Sequence, residues 1–386
     1  MSSDVRGAPA PVVRRALEAG DPLPGSRTGA GERDEPAVRG FGGELDGTVV
    51  RDALGRVPVY TEDGDPARWS FDPGDLSDPD LVPAGHRHTA AGDERCFSLP
   101  DPHPETDRRA AVERVRDAVA ASVDAVDADG LAVAFSGGVD SAAVAARVDA
   151  PLYVAGFPDS HDVAAARSAA RRLGRDVRVV ELTHERVERA VPRVAAATGR
   201  TNAMDVSIAL PLALVAERAA SDGFDRLAVG QGADELFGGY AKVERAPEDP
   251  RVEADTVRGA RREVALTLPD QIERDVRALR GAGVEPVAPL LDDRVVAAAL
   301  RLPGPLLVSG RSERKWALRQ AVREWVPDPV AFREKKALQY GSLVARELDR
   351  LARRAGFKRR MDDHVTRYVE SIAGDARPHS HRGTRS

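Results

Sequence analysis

The chain has 386 residues, of which 42% are hydrophobic and 31% charged, a globular composition long enough for two domains and unlike that of a disordered chain. Its 57 Lys and Arg against 62 Asp and Glu leave a formal net charge of -5, which gives no support to a basic nucleic-acid footprint. The single cysteine, Cys96, excludes an intrachain disulfide framework, and no apolar run of roughly 18 residues reads as a membrane span. The N-terminus lacks the basic-then-apolar pattern of a signal peptide, so the chain is expected in the cytoplasm. Only Lys242, Lys315, Lys335, Lys336 and Lys358 carry an ammonium, every other strong base being Arg, so each lysine stands out.

Residues 1–37 are rich in Gly, Pro, Ala and charge, and read as a flexible tail with a short helix near 12–19. Residues 38–100 hold short apolar runs at 48–50 and 57–60 between Gly and Asp-Gly turn signals, which predicts a few short strands and no large core. A Pro- and Asp-rich linker follows at 101–110. From 105 to 126, Val112, Val115, Val119, Val123 and Val126 recur at helical spacing. The apolar run 131–135, between Asp129-Gly130 and Ser136-Gly137-Gly138, reads as a buried parallel strand. A helix to about 147 follows, then strands at 152–155, 177–182 and 226–229 and helices at 162–173, 184–198 and 203–221. This alternation predicts an α/β fold: an open parallel sheet with right-handed crossovers and helices on both faces. After Tyr240 the pattern is mostly helical, and 374–386 reads as a disordered tail.

Ser136-Gly137-Gly138-Val139-Asp140-Ser141 falls between a buried strand and a helix start. Ligands of open α/β sheets bind outside the carboxyl ends of the strands, where free N–H groups favour anions. Two glycines let the backbone approach a phosphate closely, and Ser136 and Ser141 add hydroxyl donors. Asp140 would repel a phosphate unless it held a Mg²⁺ that bridges the phosphates. The spacing is neither a Walker A loop nor a Gly-x-Gly-x-x-Gly turn.

This loop resembles the pyrophosphatase loop of N-type ATP pyrophosphatases. Gly230-Gln231-Gly232-Ala233-Asp234-Glu235-Leu236-Phe237-Gly238-Gly239-Tyr240 narrows the likeness to the synthase domain of the asparagine synthetase family. Further stretches resemble that family in order: Gly156 to Asp162, Gly283 to Asp292, and Arg314-Lys315-Trp316-Ala317-Leu318-Arg319. The resemblance implies an adenine nucleotide α-hydrolase-like fold and ATP-dependent amide formation. A carboxylate, the aspartate side chain above all, attacks the α-phosphorus, pyrophosphate leaves, and ammonia displaces AMP from the acyl-adenylate. It further implies that Asp140 and Asp234 hold Mg²⁺ and that Lys315, on a helix starting near a capping Ser312, faces pyrophosphate. Glu235 and Gln231 fall among the catalytic positions. Adenine would lie against Ala134, Ala155, Gly156, Val229 and Gly230. Lys335 and Lys336 either close over the phosphates or form a solvated charge run. Two departures lie near the acceptor: Gln231 stands where the family has Glu, and Val287 where it has Arg.

Arg51-Asp52-Ala53-Leu54-Gly55-Arg56-Val57-Pro58-Val59-Tyr60 resembles a stretch of the family's glutaminase domain, and 70–86 resembles its end. Such a glutaminase uses a Cys after the initiator Met, with its own α-amine as base. Here the chain reads Met1-Ser2-Ser3, and Cys96 has no terminal amine beside it, so Cys96 is expected to be structural. The domains are therefore expected as a tail to 37, a degenerate glutaminase-like segment at 38–100, a synthase-like domain at 105–373 and a tail from 374. Nitrogen would come from free ammonia or a separate glutaminase. Three functions stay open: an asparagine synthetase-like ligase, a same-fold amidotransferase on another carboxylate, and a non-catalytic nucleotide-binding regulator.

Overall fold

The computed structural model describes residues 3–26, 37–158, 160–246, 254, 256–333 and 343–375. The first unit combines strands β1 (Asp4–Arg6), β2 (Gly42–Leu45), β3 (Thr48–Arg51), β4 (Tyr60–Glu62), β5 (Asp65–Ser70), β6 (Pro79–Leu81), β7 (His86–Thr89) and β8 (Gly92–Arg95) with helix α1 (Ala10–Ala19). They form two antiparallel sheets, β1-β2-β3-β7-β8 and β5-β4-β6. Two Asp-Gly turns set the hairpins: Asp46 and Gly47 have φ of 53° and 82°, Asp63 and Gly64 of 53° and 72°. Both residues of such a turn must be left-handed, which Asp tolerates and Gly prefers.

Residues 3–26 correct the expectation of a flexible tail. Strand β1 pairs with β2. Pro9 precedes α1, a left-handed Gly20 ends it, and Val13 and Ala16 are buried in a small core with Phe41, Leu45 and Phe97. Phe41 meets Phe97 edge to face at 5.7 Å. Composition hid this because α1 buries small residues, while its Arg and Glu face out. The strands at 38–100 are as foretold, but their core is shared with the segment before them.

The second unit carries helices α2 (Arg108–Asp124), α3 (Val139–Ala145), α4 (His161–Arg172), α5 (His184–Thr198), α6 (Ala203–Ser221), α7 (Ala233–Phe237), α8 (Ala241–Arg245), α9 (Val257–Ala265), α10 (Leu268–Arg280) and α11 (Asp293–Leu300). Its strands are β9 (Leu131–Ala134), β10 (Leu152–Gly156), β11 (Val177–Glu181), β12 (Arg226–Ala228) and β13 (Glu285–Val287), all parallel in the order β11-β10-β9-β12-β13. Strand period two divides the sheet between two cores. Leu131, Val133, Leu152 and Val154 point into the core that contains α2. Ala132, Tyr153, Val180 and Leu227 point into the core that contains α5, α6 and helix Val344–Arg354. Helices thus cover both faces.

The starts of the helices follow from their caps. Asp107 accepts from Arg109 N and Ala110 N, Ser160 from Val163 N, Thr183 from Arg186 N and Asn202 from Asp205 N. Strand β13 was not foreseen. It has three residues, and Pro286 donates no ladder bond, which an edge strand tolerates. Helix His364–Asp375 takes in Gly374 and Asp375, two residues of the stretch expected as a tail. The remaining tail and both Lys335 and Lys336 lie outside the described residues. No helix among the described residues is long and apolar enough to cross a membrane.

Candidate active site

The chain runs β9 to β10 to β11 in one direction, then crosses to β12 on the other side of β9. The carboxyl ends of β9 and β12 therefore flank a topological switch point, where open α/β sheets bind ligands. A cleft of about 710 Å³ opens there. Ala134, Ser136, Gly138, Asp140, Ser141, Ala155, Gly156, Val229, Gly230, Gln231, Asp234, Glu235 and Lys315 all line it. Gly137 does not. With φ of 71° it stands behind the loop, and a Cβ there would fall 2.9 Å from Ala166 Cα. It is the hinge that lets α4 pack under the loop. Ser141 Oγ donates to Gly138 O at 3.2 Å, tying the loop to the first turn of α3.

Strand β9 delivers Asp140 and strand β12 delivers Asp234, and the two loops touch. A Cβ on Gly230 would fall 2.9 Å from Asp140 Cβ. Lys315 is 1% exposed, and its Nζ lies 2.6 Å from Asp140 Oδ2 and 2.7 Å from Asp234 Oδ1. Burial alone would lower the pKa of this ammonium, but the charges of Asp140 and Asp234 outweigh burial and hold it above its ordinary value. Lys315 does not ride on a helix that starts near Ser312. The helix begins at Trp316, and Ser312 and Lys315 are both left-handed, at φ of 61° and 59°. The left-handed backbone turns the ammonium inward and costs of order 1–3 kcal/mol, a strain that clusters at functional sites. Gly239 completes the fit, since a Cβ there would collide with Asp234 and Lys315.

Glu235 is 5% exposed and accepts the Tyr240 hydroxyl. Burial first, then the charge of Asp234, push its carboxyl above the ordinary value. Gln231 Nε2 donates to Asp275 Oδ2 at 2.7 Å. Arg274 links Asp275 Oδ1 and Asp205 Oδ1, each at 2.8 Å. The carboxylate of Asp275 fixes the Gln231 amide with its nitrogen inward, and among the described residues its Oε1 accepts no hydrogen bond.

Sequence reasoning missed Gln271, Arg274 and Asp275, which line this end of the cleft from α10. Their i, i+3, i+4 spacing on an otherwise apolar-faced helix was the available signal. It also gave no role to Tyr240. Cys96 donates to Gly85 O, and burial pushes its thiol up to about 11, which leaves little thiolate. Among the described residues no cluster of three or more His, Cys, Asp or Glu is arranged to hold a metal ion.

The profile of the family described as Asparagine synthase matches residues 113–264 and 248–380, so the chain belongs to that family. A putative glutamine-hydrolyzing asparagine synthetase of Methanocaldococcus jannaschii is 30% identical over 283 residues, covering 64% of this chain and 52% of the relative. Asparagine synthetase B (glutamine-hydrolyzing) of Escherichia coli is 27% identical over 190 residues, 49% of this chain and 34% of the relative. The chain thus spans about half or less of the length of these curated relatives.

Proposed function

We propose that this chain is an ATP-dependent amide ligase of the asparagine synthetase type. The observation that carries the reading is Lys315, buried between Asp140 and Asp234 at the switch point of the parallel sheet. Two carboxylates and an ammonium at one point suit triphosphate chemistry, where anion must meet anion. The donor set also fits Mg²⁺. Asp140 Oδ1 is buried and has no hydrogen-bond partner among the described residues. Asp140 and Asp234 would hold the ion, whose chemistry is to neutralise phosphate charge, with phosphate oxygens and water as its other ligands.

The loop from Ser136 to Ser141 would hold the phosphates by backbone N–H and hydroxyl groups, with adenine against Ala134, Ala155, Gly156, Val229 and Gly230. An acceptor carboxylate oxygen attacks the α-phosphorus, and the bond to the pyrophosphate oxygen breaks. Lys315 Nζ, a compact charge, follows the departing pyrophosphate. Ammonia then attacks the acyl carbon, and AMP leaves. Glu235, buried and hydrogen-bonded to the half-buried Tyr240, is the acid–base group at that end. Free ammonia or a separate glutaminase supplies the nitrogen.

Aspartate is the first candidate acceptor. A second reading, another small carboxylic acid, is favoured by the Gln231–Asp275 hydrogen bond. Gln231 offers an amide oxygen where a Glu would offer a charge. Pyrophosphate release with ATP, Mg²⁺ and ammonia across a panel of carboxylates tests both. Release with aspartate supports the first, release only with another acid the second, and no release with any acid sinks the proposal.

A further inference from the structure

The unit before residue 100 is joined to the cleft through a dry ionic clasp. Arg56 Nε lies 2.8 Å from Asp52 Oδ1, and Arg56 Nη1 lies 2.6 Å from Asp293 Oδ1, with side chains 2% exposed for Arg56 and 0% for both carboxylates. Asp293 is also held by Gly25 N at 2.8 Å, and its own N–H donates to Val38 O at 2.9 Å. Buried ion pairs give little net stability against apolar packing, because desolvating the charges offsets their attraction. Their best-attested use is to fix one arrangement among several.

What this clasp fixes is the back of the cleft loop. Arg56 Nη1 also donates to Leu291 O at 2.8 Å. Leu291 belongs to the 3-10 turn Pro289–Leu291, and its side chain fills the space where Gly232 would carry a Cβ. Gly232 sits between Gln231 and α7, which bears Asp234 and Glu235. A second grip acts on α10, which touches the same loop through Asp275. Tyr60 OH donates to Glu273 Oε1 at 2.8 Å, and Arg200 and Arg277 hold the same carboxylate. Glu273 lies on α10, the helix that presents Gln271, Arg274 and Asp275 to the cleft.

We infer that the N-terminal unit is a positioning scaffold for the acceptor end of the cleft, with Arg56 and Tyr60 as its positioning residues. It aligns Gln231, Asp234 and Glu235 from behind while leaving the adenine end untouched. This rests on the function proposed above for the same cleft.

The test uses the full chain with Tyr60→Phe and the paired change Arg56→Met with Asp293→Asn. Hydrogen exchange is followed at residues 230–239, together with KM for ATP and for the acceptor acid. Loss of the one Tyr60 hydrogen bond is expected to raise the acceptor KM about tenfold and the exchange of 230–239 by a similar factor, and the paired change, which removes the Arg56 bonds to Asp52, Asp293 and Leu291, at least as much. The KM for ATP and the exchange of 131–145 should stay within twofold or so. Equal changes in both KM values, or unchanged exchange at 230–239, overturn the inference. If no acid supports turnover in the parent chain, the functional reading fails, and the exchange data still decide on the scaffold. If the paired variant does not fold, Tyr60→Phe decides alone.

Discussion

Tyr240 donates its hydroxyl to Glu235 Oε1 at 2.6 Å, directly beside the Asp234 carboxylate. The pair joins a buried acid to a half-buried phenol within one short loop and helix.

The first prediction concerns pH. Glu235 has its pKa raised above 4.5 by burial and by Asp234, so the folded chain keeps this proton after the unfolded chain releases it. Stability from this group is present at acid pH and lost as pH rises from 4.5 through the folded value. Glu235→Gln should therefore raise the melting temperature at neutral pH, give no gain at acid pH, and lose ligase turnover. A uniform gain at all pH values would contradict the assignment.

Lys315→Met removes the buried ammonium that lies between Asp140 and Asp234. The expected loss is roughly 3 kcal/mol of stability, together with pyrophosphate release. Added Mg²⁺ should recover more of the melting temperature in this variant than in the parent. Calorimetric scans with and without the ion check this.

Gly239→Ala places a methyl group against Asp234 and Lys315. A shift of about 1 Å at reacting groups lowers turnover about a hundredfold. Steady-state kinetics should show that loss with an unchanged circular dichroism spectrum.

Gln231→Glu puts a second carboxylate against Asp275, which is already hydrogen-bonded at 2.7 Å. The variant should lose about 1–3 kcal/mol, and Asp275→Asn should restore most of it. A double-mutant cycle by urea denaturation measures the coupling. Additive effects would remove Asp275 as the partner of Gln231.

Much of the sheet and site was legible because strand period, caps and glycine loops are local signals. The run from Leu131 to Phe135 and the Gly-containing loops after β9 and β12 announced the switch point. The left-handed turn at Lys315 was not legible, because its geometry is imposed by two carboxylates far away in sequence. The helix near 12–19 was legible, but its packing was not, because Val13 and Ala16 find their partners Phe41, Leu45 and Phe97 only through tertiary contacts. Asp275 escaped because its meaning depends on Gln231, which only tertiary packing brings near.

The pairing of β12 with β9, Arg226 beside Leu131, spans roughly a hundred residues of chain, a long loop to close before contacts reward it. Neither flanking loop can meet its counterpart until that zipper has shut. Triphosphate affinity during refolding would thus report the completion of the sheet and not its beginning. A chain stalled on the ribosome before β12 would hold one carboxylate of the pair and no cleft.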